Sequence, residues 1–155
     1  MRTLDDILAA SPVFAGLSPE HLAVIRGCAH NVGFAQGARL LGEGEGVDTF
    51  YLVRRGRFAL AVPDATRNAV IVETVEPGEV VGWSWLFPPC RSHFDAIAVE
   101  AVRAVAFDAA CLRGKCDEDH ELGYELMRRF ATVVIDRLEH TRLRLLDVYG
   151  SRVGD

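Results

Sequence analysis

Apolar and polar positions change their period twice along the chain, and the two changes divide it into three parts. Leu4, Ile7 and Leu8 share one face of a short helix that Ser11-Pro12 stops. Ser18 is placed to cap a second helix, with Pro19 at its first position, Glu20 in its first turn and Gly27 at its end. From His30 to Asp108 the period falls to about two, with Gly and Pro at short intervals. Strands are predicted over 31–34, 39–41, 49–54, 57–62, 69–75, 80–81, 93–98 and 102–107. Turn signals separate them at Gln36-Gly37, 42–46, Arg55-Gly56, 63–68, Pro77-Gly78 and Pro88-Pro89. About eight short strands at this spacing predict an antiparallel jelly roll and not a parallel α/β sheet.

After Asp108 the helical period returns. Asp108 caps a short predicted helix from Ala109 to about Cys116, and a long one runs from about Glu118 to Tyr149. Asp117, Glu118, Asp119 and Glu121 are assigned to the first turn of the long helix and Arg142 and Arg144 to its last turns, which suits the helix dipole at both ends. The fold expectation is therefore mainly β with flanking helices, in one domain over 1–155. A helical lead-in covers 1–28, the barrel 29–108 and the C-terminal helices 109–150.

Composition narrows the function. The chain of 155 residues is 50% hydrophobic and 25% charged, enough for one packed core and too little for a second ordinary domain. Its net charge of −5 argues against an open basic surface for duplex DNA. Lys115 is the single lysine among 17 basic residues, a bias that reflects genome composition and not a site. No apolar run approaches the roughly 20 residues that span a bilayer, and Asp5-Asp6 stand where a signal peptide is basic. A cytoplasmic protein with no membrane contact is expected. Cys28, Cys90, Cys111 and Cys116 are irregularly spaced without a CxxC, so reduced, mostly buried thiols are expected.

The stretch from Phe34 to Asp108 resembles the cyclic-nucleotide-binding domain of Crp/Fnr regulators, protein kinase A regulatory subunits and cyclic-nucleotide-gated channels. The resemblance rests on Leu40-Leu41-Gly42-Glu43-Gly44-Glu45 followed by residues 49–56, and on Pro77-Gly78-Glu79-Val80-Val81-Gly82 followed by residues 83–87 and Arg91-Ser92. Ser11-Pro12-Val13-Phe14 onward is similar to the lead-in of bacterial members. The second block looks like the family's phosphate-binding cassette. The resemblance implies a helical turn opened at Gly82, whose free N–H groups meet a cyclic phosphate. Gly82, Trp83, Ser84, Trp85, Arg91 and Ser92 are the implied ligand contacts, Arg91 through a charged fork and Ser92 through its hydroxyl or amide. Against this stands a plain turn at Gly78 with Arg91 as a surface charge.

One departure bears on the ligand. Family members that bind cAMP usually carry Glu after the second cassette glycine, where it accepts from the ribose 2′-hydroxyl. Here that residue is Trp83, which has one donor and no acceptor, and Trp85 stands where a small residue is usual. Losing that partner costs about 1–3 kcal/mol, or one to two decades of affinity. Trp83, Trp85 and Phe87 either form an aromatic wall for a planar ligand or fill the barrel mouth in its place. His93 either faces the pocket or is a strand histidine bonded to backbone, the second being preferred. A cupin-like metal site needs paired histidines on the barrel strands, and only His93 falls within a predicted strand, so no enzyme activity, metal or fixed cofactor is expected; a cyclic nucleotide is the possible ligand.

On the long helix, Met127, Ala131, Val134, Leu138, Thr141, Leu145 and Val148 keep a 4-3 spacing, a seam of about three heptads. Leu126, Phe130 and Val133 lie beside it, facing the barrel. The seam predicts a homodimer, whereas a helix folded only onto its own domain is the plainer alternative. In Crp-like proteins this helix also reaches the ligand base, and Asp136, Arg137 and His140 are the polar residues implied for that role. No winged helix-turn-helix follows residues 145–150, which resemble the Crp hinge, so no direct DNA binding is expected. The leading expectation is a stand-alone sensor for a small anionic ligand acting on an unknown protein effector. The alternative is a ligand-free interaction module whose pocket the tryptophans fill.

Overall fold

The computed structural model describes residues 3–63, 65, 66 and 68–153, with side chains described through Asp147. Asp64 and Arg67 of the expected 63–68 turn, and the Val148 side chain of the seam, lie outside the described residues. Among the described residues four α-helices and eight strands follow one another: α1 (Leu4–Ala10), α2 (Pro19–Arg26), β1 (Ala29–Phe34), β2 (Arg39–Leu41), β3 (Thr49–Arg55), β4 (Phe58–Pro63), β5 (Ala69–Val75), β6 (Val80–Val81), β7 (Asp95–Ala98), β8 (Val102–Asp108), α3 (Ala109–Glu118) and α4 (His120–Val153). A 3-10 turn, Trp83–Leu86, sits between β6 and β7. The strands form two antiparallel sheets, ordered β1-β8-β3-β6 and β2-β7-β4-β5, the expected jelly roll.

The caps form where the sequence puts them. Thr3 and Asp6 make a capping box, the Ser18 side chain accepts from the His21 N–H, and the Asp108 side chain accepts from the Cys111 N–H. The long helix begins later than expected. Asp119 ends α3 and its carboxylate accepts from the N–H groups of Glu121 and Leu122, so it starts α4. Asp117 and Glu118 therefore close α3, where they oppose its dipole, and Glu121 is the acid in the first turn of α4.

Five rings from five parts of the chain tie the layers together. Phe50 of β3 stacks on Phe107 of β8 at 4.5 Å and on Trp85 of the 3-10 turn at 4.7 Å. Phe130 of α4 meets Phe50 and Trp85 edge-on at 5.3 Å each, and Phe14 of the lead-in at 6.5 Å. All five are fully buried. Arg129 adds a polar strap, donating to the carbonyls of Val13 at 2.9 Å and Ala15 at 2.6 Å. No helix of the described residues is long and apolar enough to cross a membrane.

The cysteines correct the sequence reading. Cys28 and Cys111 form a disulfide with their Cα atoms 5.9 Å apart, although 83 residues separate them. The antiparallel pairing of Ala29 with Phe107 brings both to one end of the β1–β8 ladder, and the Asp108 N–H donates to the Cys28 carbonyl. Spacing along the chain carried no trace of that proximity. Cys90 and Cys116 are free, and burial, then Asp117 and Asp119, push the Cys116 thiol up. Peptide mapping without reductant is expected to recover Cys28 linked to Cys111. Because a raised pKa leaves less thiolate, iodoacetamide at pH 8 is expected to label Cys90 well before Cys116. Equal labelling of the two, or free Cys28, would contradict this arrangement.

Candidate functional site

The cassette is shaped by two glycines in the left-handed region, Gly78 (φ +90°) and Gly82 (φ +95°). At Gly82 the positive φ strains any side chain, and a Cβ would also stand a tight 3.2 Å from the Phe50 Cβ and 3.4 Å from Leu41 Cδ1. That close approach seats the 3-10 turn against β3. The Trp85 N–H bonds the Gly82 carbonyl at 3.2 Å and the Phe87 N–H bonds the Ser84 carbonyl at 3.1 Å. With about three residues per turn, Trp83 and Trp85 do not share a face.

Trp85 points into the aromatic core, so it neither walls a ligand nor fills the barrel mouth. Its carbonyl accepts from Arg113 of α3 at 2.6 Å. Trp83 faces the other way, stacks on His93 at 5.1 Å and 10°, and meets Phe87 edge-on at 6.3 Å. His93 precedes β7 instead of lying within it, which corrects the preference for a strand histidine.

The space beneath this stack is nearly closed. A cavity of about 20 Å³ remains, lined by Gly82, Trp83, Ser84, Ser92, His93 and Arg137 together with barrel apolar residues. That holds about one water, whereas sites for small ligands measure about 300–1,000 Å³. The Ser92 hydroxyl is engaged by its own turn, donating to the Phe94 carbonyl at 2.6 Å. Arg91 is exposed and stands outside this lining; its Nη1 donates to the Gly44 carbonyl at 2.8 Å. Backbone bonds from Gly44 to Ser92 and from Val47 to Cys90, both 2.8 Å, pin the β2–β3 loop to the cassette exit.

Arg137 closes the cavity from α4. It is only 6% exposed, its Nη1 is 2.8 Å from Glu73 Oε1, and its Nη2 donates to the Val80 carbonyl at 3.4 Å. The Nη1–Glu73 approach is a close charge contact that lacks hydrogen-bond geometry. Glu79 Oε2 stands 3.9 Å from Nη2, and His140 Nδ1 is 2.6 Å from the same Glu73 oxygen. Sequence reading missed Glu73. A bulge in β5 opposite Leu60 and Ala61 breaks strict alternation there, so no period marks where Glu73 points. Asp136 is exposed and lines an outer cleft of about 180 Å³ with Pro12, Gly78 and His140; Val80 and Arg137 line both this cleft and the cavity. Five of the expected contacts, Gly82, Trp83, Ser84, Ser92 and Arg137, thus surround one cavity together with His93, while Trp85, Arg91, Asp136 and His140 do not line it.

Similarity to known proteins shows the family and the fold. The family described as cyclic nucleotide-binding domain matches residues 32–119. The CRP-like cAMP-activated global transcriptional regulator of Mycobacterium tuberculosis is 28% identical over 147 residues, 94% of this chain and 63% of that protein. The chain thus spans under two thirds of the length of that curated relative. The crystal structure of a putative cyclic nucleotide-binding protein from Geobacter metallireducens is 28% identical, covers 88% of this chain and 99% of its own, and superposes with a TM-score of 0.79. The N-terminal domain of a transcriptional regulator from Streptomyces coelicolor, also 28% identical, covers 91% and 96% of the two chains with a TM-score of 0.68. A match across more than half its length, on a jelly roll with the cassette and long helix in place, makes this chain a member of the cyclic nucleotide-binding domain family.

Proposed function

We propose that the protein is a regulatory sensor that takes a small anionic ligand, a cyclic nucleotide or a related molecule, in the cavity under Trp83 and reports its presence through α4. The observation that carries this reading is that Arg137, a residue of the long helix, lines the same cavity as Gly82, Ser84 and Ser92 of the cassette. A ligand entering there must displace the Trp83–His93 stack and compete with Glu73 for Arg137. Any such competition acts directly on α4. In this reading Arg91 leaves the Gly44 carbonyl to meet the phosphate with the N–H groups of the 3-10 turn. The apolar outer face of α4 pairs two such modules, and an effector protein reads the pair.

The small cavity also supports a second reading, a ligand-free interaction module with Trp83 standing in for the ligand. Isothermal titration of the full chain with cAMP, cGMP and a cyclic dinucleotide separates the two. The sensor reading expects saturable binding of at least one of them. Arg91→Ala is expected to weaken that binding at least tenfold, since a charged hydrogen bond contributes about 1.5–3 kcal/mol. Silence from all three favours the ligand-free module, and unchanged affinity in Arg91→Ala removes Arg91 from the site.

A further inference from the structure

A depression of about 630 Å³, which Trp83 does not line, is bounded by Ile7 and Ala10 of α1, by Ser11 at its end, by Arg54, Arg55 and Arg103, and by Pro77-Gly78. Its cations share one face of the β1-β8-β3 sheet. Gly33, Arg103 and Arg55 stand directly opposite one another across the three strands, and opposed residues of an antiparallel ladder point to the same side. That side is the outer one, because Val102 and Ala104 flank Arg103 and are buried while Arg55 and Arg103 are exposed. The β3 bulge then brings in the third cation. The register passes from Val53–Ala104 to Arg55–Arg103, and Arg54 becomes an extra residue whose guanidinium donates to Asn31 Oδ1 at 2.8 Å on β1.

This arrangement is costly without an anion. Like charges directly opposite on neighbouring strands repel. Seven arginines have a carboxylate within 4.0 Å; among the described residues Arg54, Arg55 and Arg103 have none, and neither do Arg91, Arg113 and Arg144, which instead bond backbone carbonyls, in a chain whose net charge is −5. The Arg103 side chain passes close over Gly33, where a Cβ would stand 3.2 Å from Arg103 Nη1. The volume falls in the range of small-ligand sites, and Ile7, Ala10 and Pro77 give it apolar walls.

We propose that this depression binds a small ligand carrying two or more linked phosphates, with Arg54, Arg55 and Arg103 holding the phosphate oxygens in forked, charge-assisted hydrogen bonds. Three guanidinium groups match a multiply charged anion better than the single charge of a cyclic phosphate. The wall of the site continues into the cassette. The Ser11 hydroxyl donates to the Gly78 carbonyl at 3.3 Å, the Gly78 N–H to the Val53 carbonyl at 2.8 Å and the Val53 N–H to the Glu79 carbonyl at 3.0 Å.

The test is calorimetric titration of the full chain with inorganic pyrophosphate at constant ionic strength. One saturable equivalent per chain is expected, weakened at least tenfold by Arg55→Gln and by Arg103→Gln separately, and unaffected by Arg142→Gln on α4. Melting curves give a second readout. Without pyrophosphate each of the first two variants is expected to melt at or above the native protein, because the opposed pair is relieved, and with it only the native protein gains. No saturable binding, equal loss in Arg142→Gln, or binding of an acidic peptide but not of pyrophosphate would overturn the proposal.

Discussion

Leu138→Asp is expected to convert a dimer of about twice 17.0 kDa into a monomer with its barrel intact. Leu138 is 64% exposed on α4 in the isolated chain, with Ile135 at 57% and Leu145 at 53% exposed nearby. Met127 opens the same seam, and Ala131, Val134 and Thr141 lie half-buried along it. The barrel does not cover this face, because Leu126, Phe130 and Val133 already occupy the side of α4 that meets the core. At 34 residues and about 1.5 Å per residue, the helix is near 50 Å long and outruns its own domain. Pairing two copies along it buries on the order of 1,600 Å², an ordinary specific interface. An aspartate at the seam centre must be desolvated without a partner, which is strongly unfavourable. Light scattering at micromolar concentration reads the result. A native protein that scatters as a monomer would remove both the dimer and the paired-helix output.

Phe130→Ala is expected to cost about 3–5 kcal/mol, a large share of the roughly 5–15 kcal/mol that holds a domain together. Its ring is fully buried and meets Phe14, Phe50 and Trp85, so truncation opens a void where lead-in, barrel, cassette and α4 join. Urea unfolding followed by tryptophan fluorescence measures the loss, and Trp85 in that cluster supplies a local signal. A loss under about 1 kcal/mol would show that α4 contributes little to the core and rests on the barrel as an independent lever.

The barrel was legible because its strands are short and punctuated. Gly56 and Pro77-Gly78 bound β3, β4 and β6, and the ladders leave 39–41, 69–75 and 80–81 where alternation puts them. The site was legible in its backbone and less so in its side chains. A turn with about three residues per revolution sends Trp83 to the cavity and Trp85 to the core, which alternation counted along the chain does not distinguish. Two bulges hid the rest: the one in β5 obscures Glu73, and the one in β3 gathers Arg54 and Arg55 onto one face. The Cys28–Cys111 bond depends on a strand pairing across the whole barrel, a contact no local pattern encodes.

By the chain's resemblance to the family, Trp83 is expected to stand where cAMP-binding members usually carry the ribose acceptor, and its indole, stacked on His93, lines a cavity of only about 20 Å³. Calorimetric titration with cAMP of the native chain and of Trp83→Glu is the most direct measurement. The account expects a native dissociation constant in the high micromolar range or weaker, and a gain of at least tenfold in the variant, which removes the lid and restores an acceptor worth about 1–3 kcal/mol. Submicromolar binding by the native protein, or a folded Trp83→Glu variant no better than native, would contradict it.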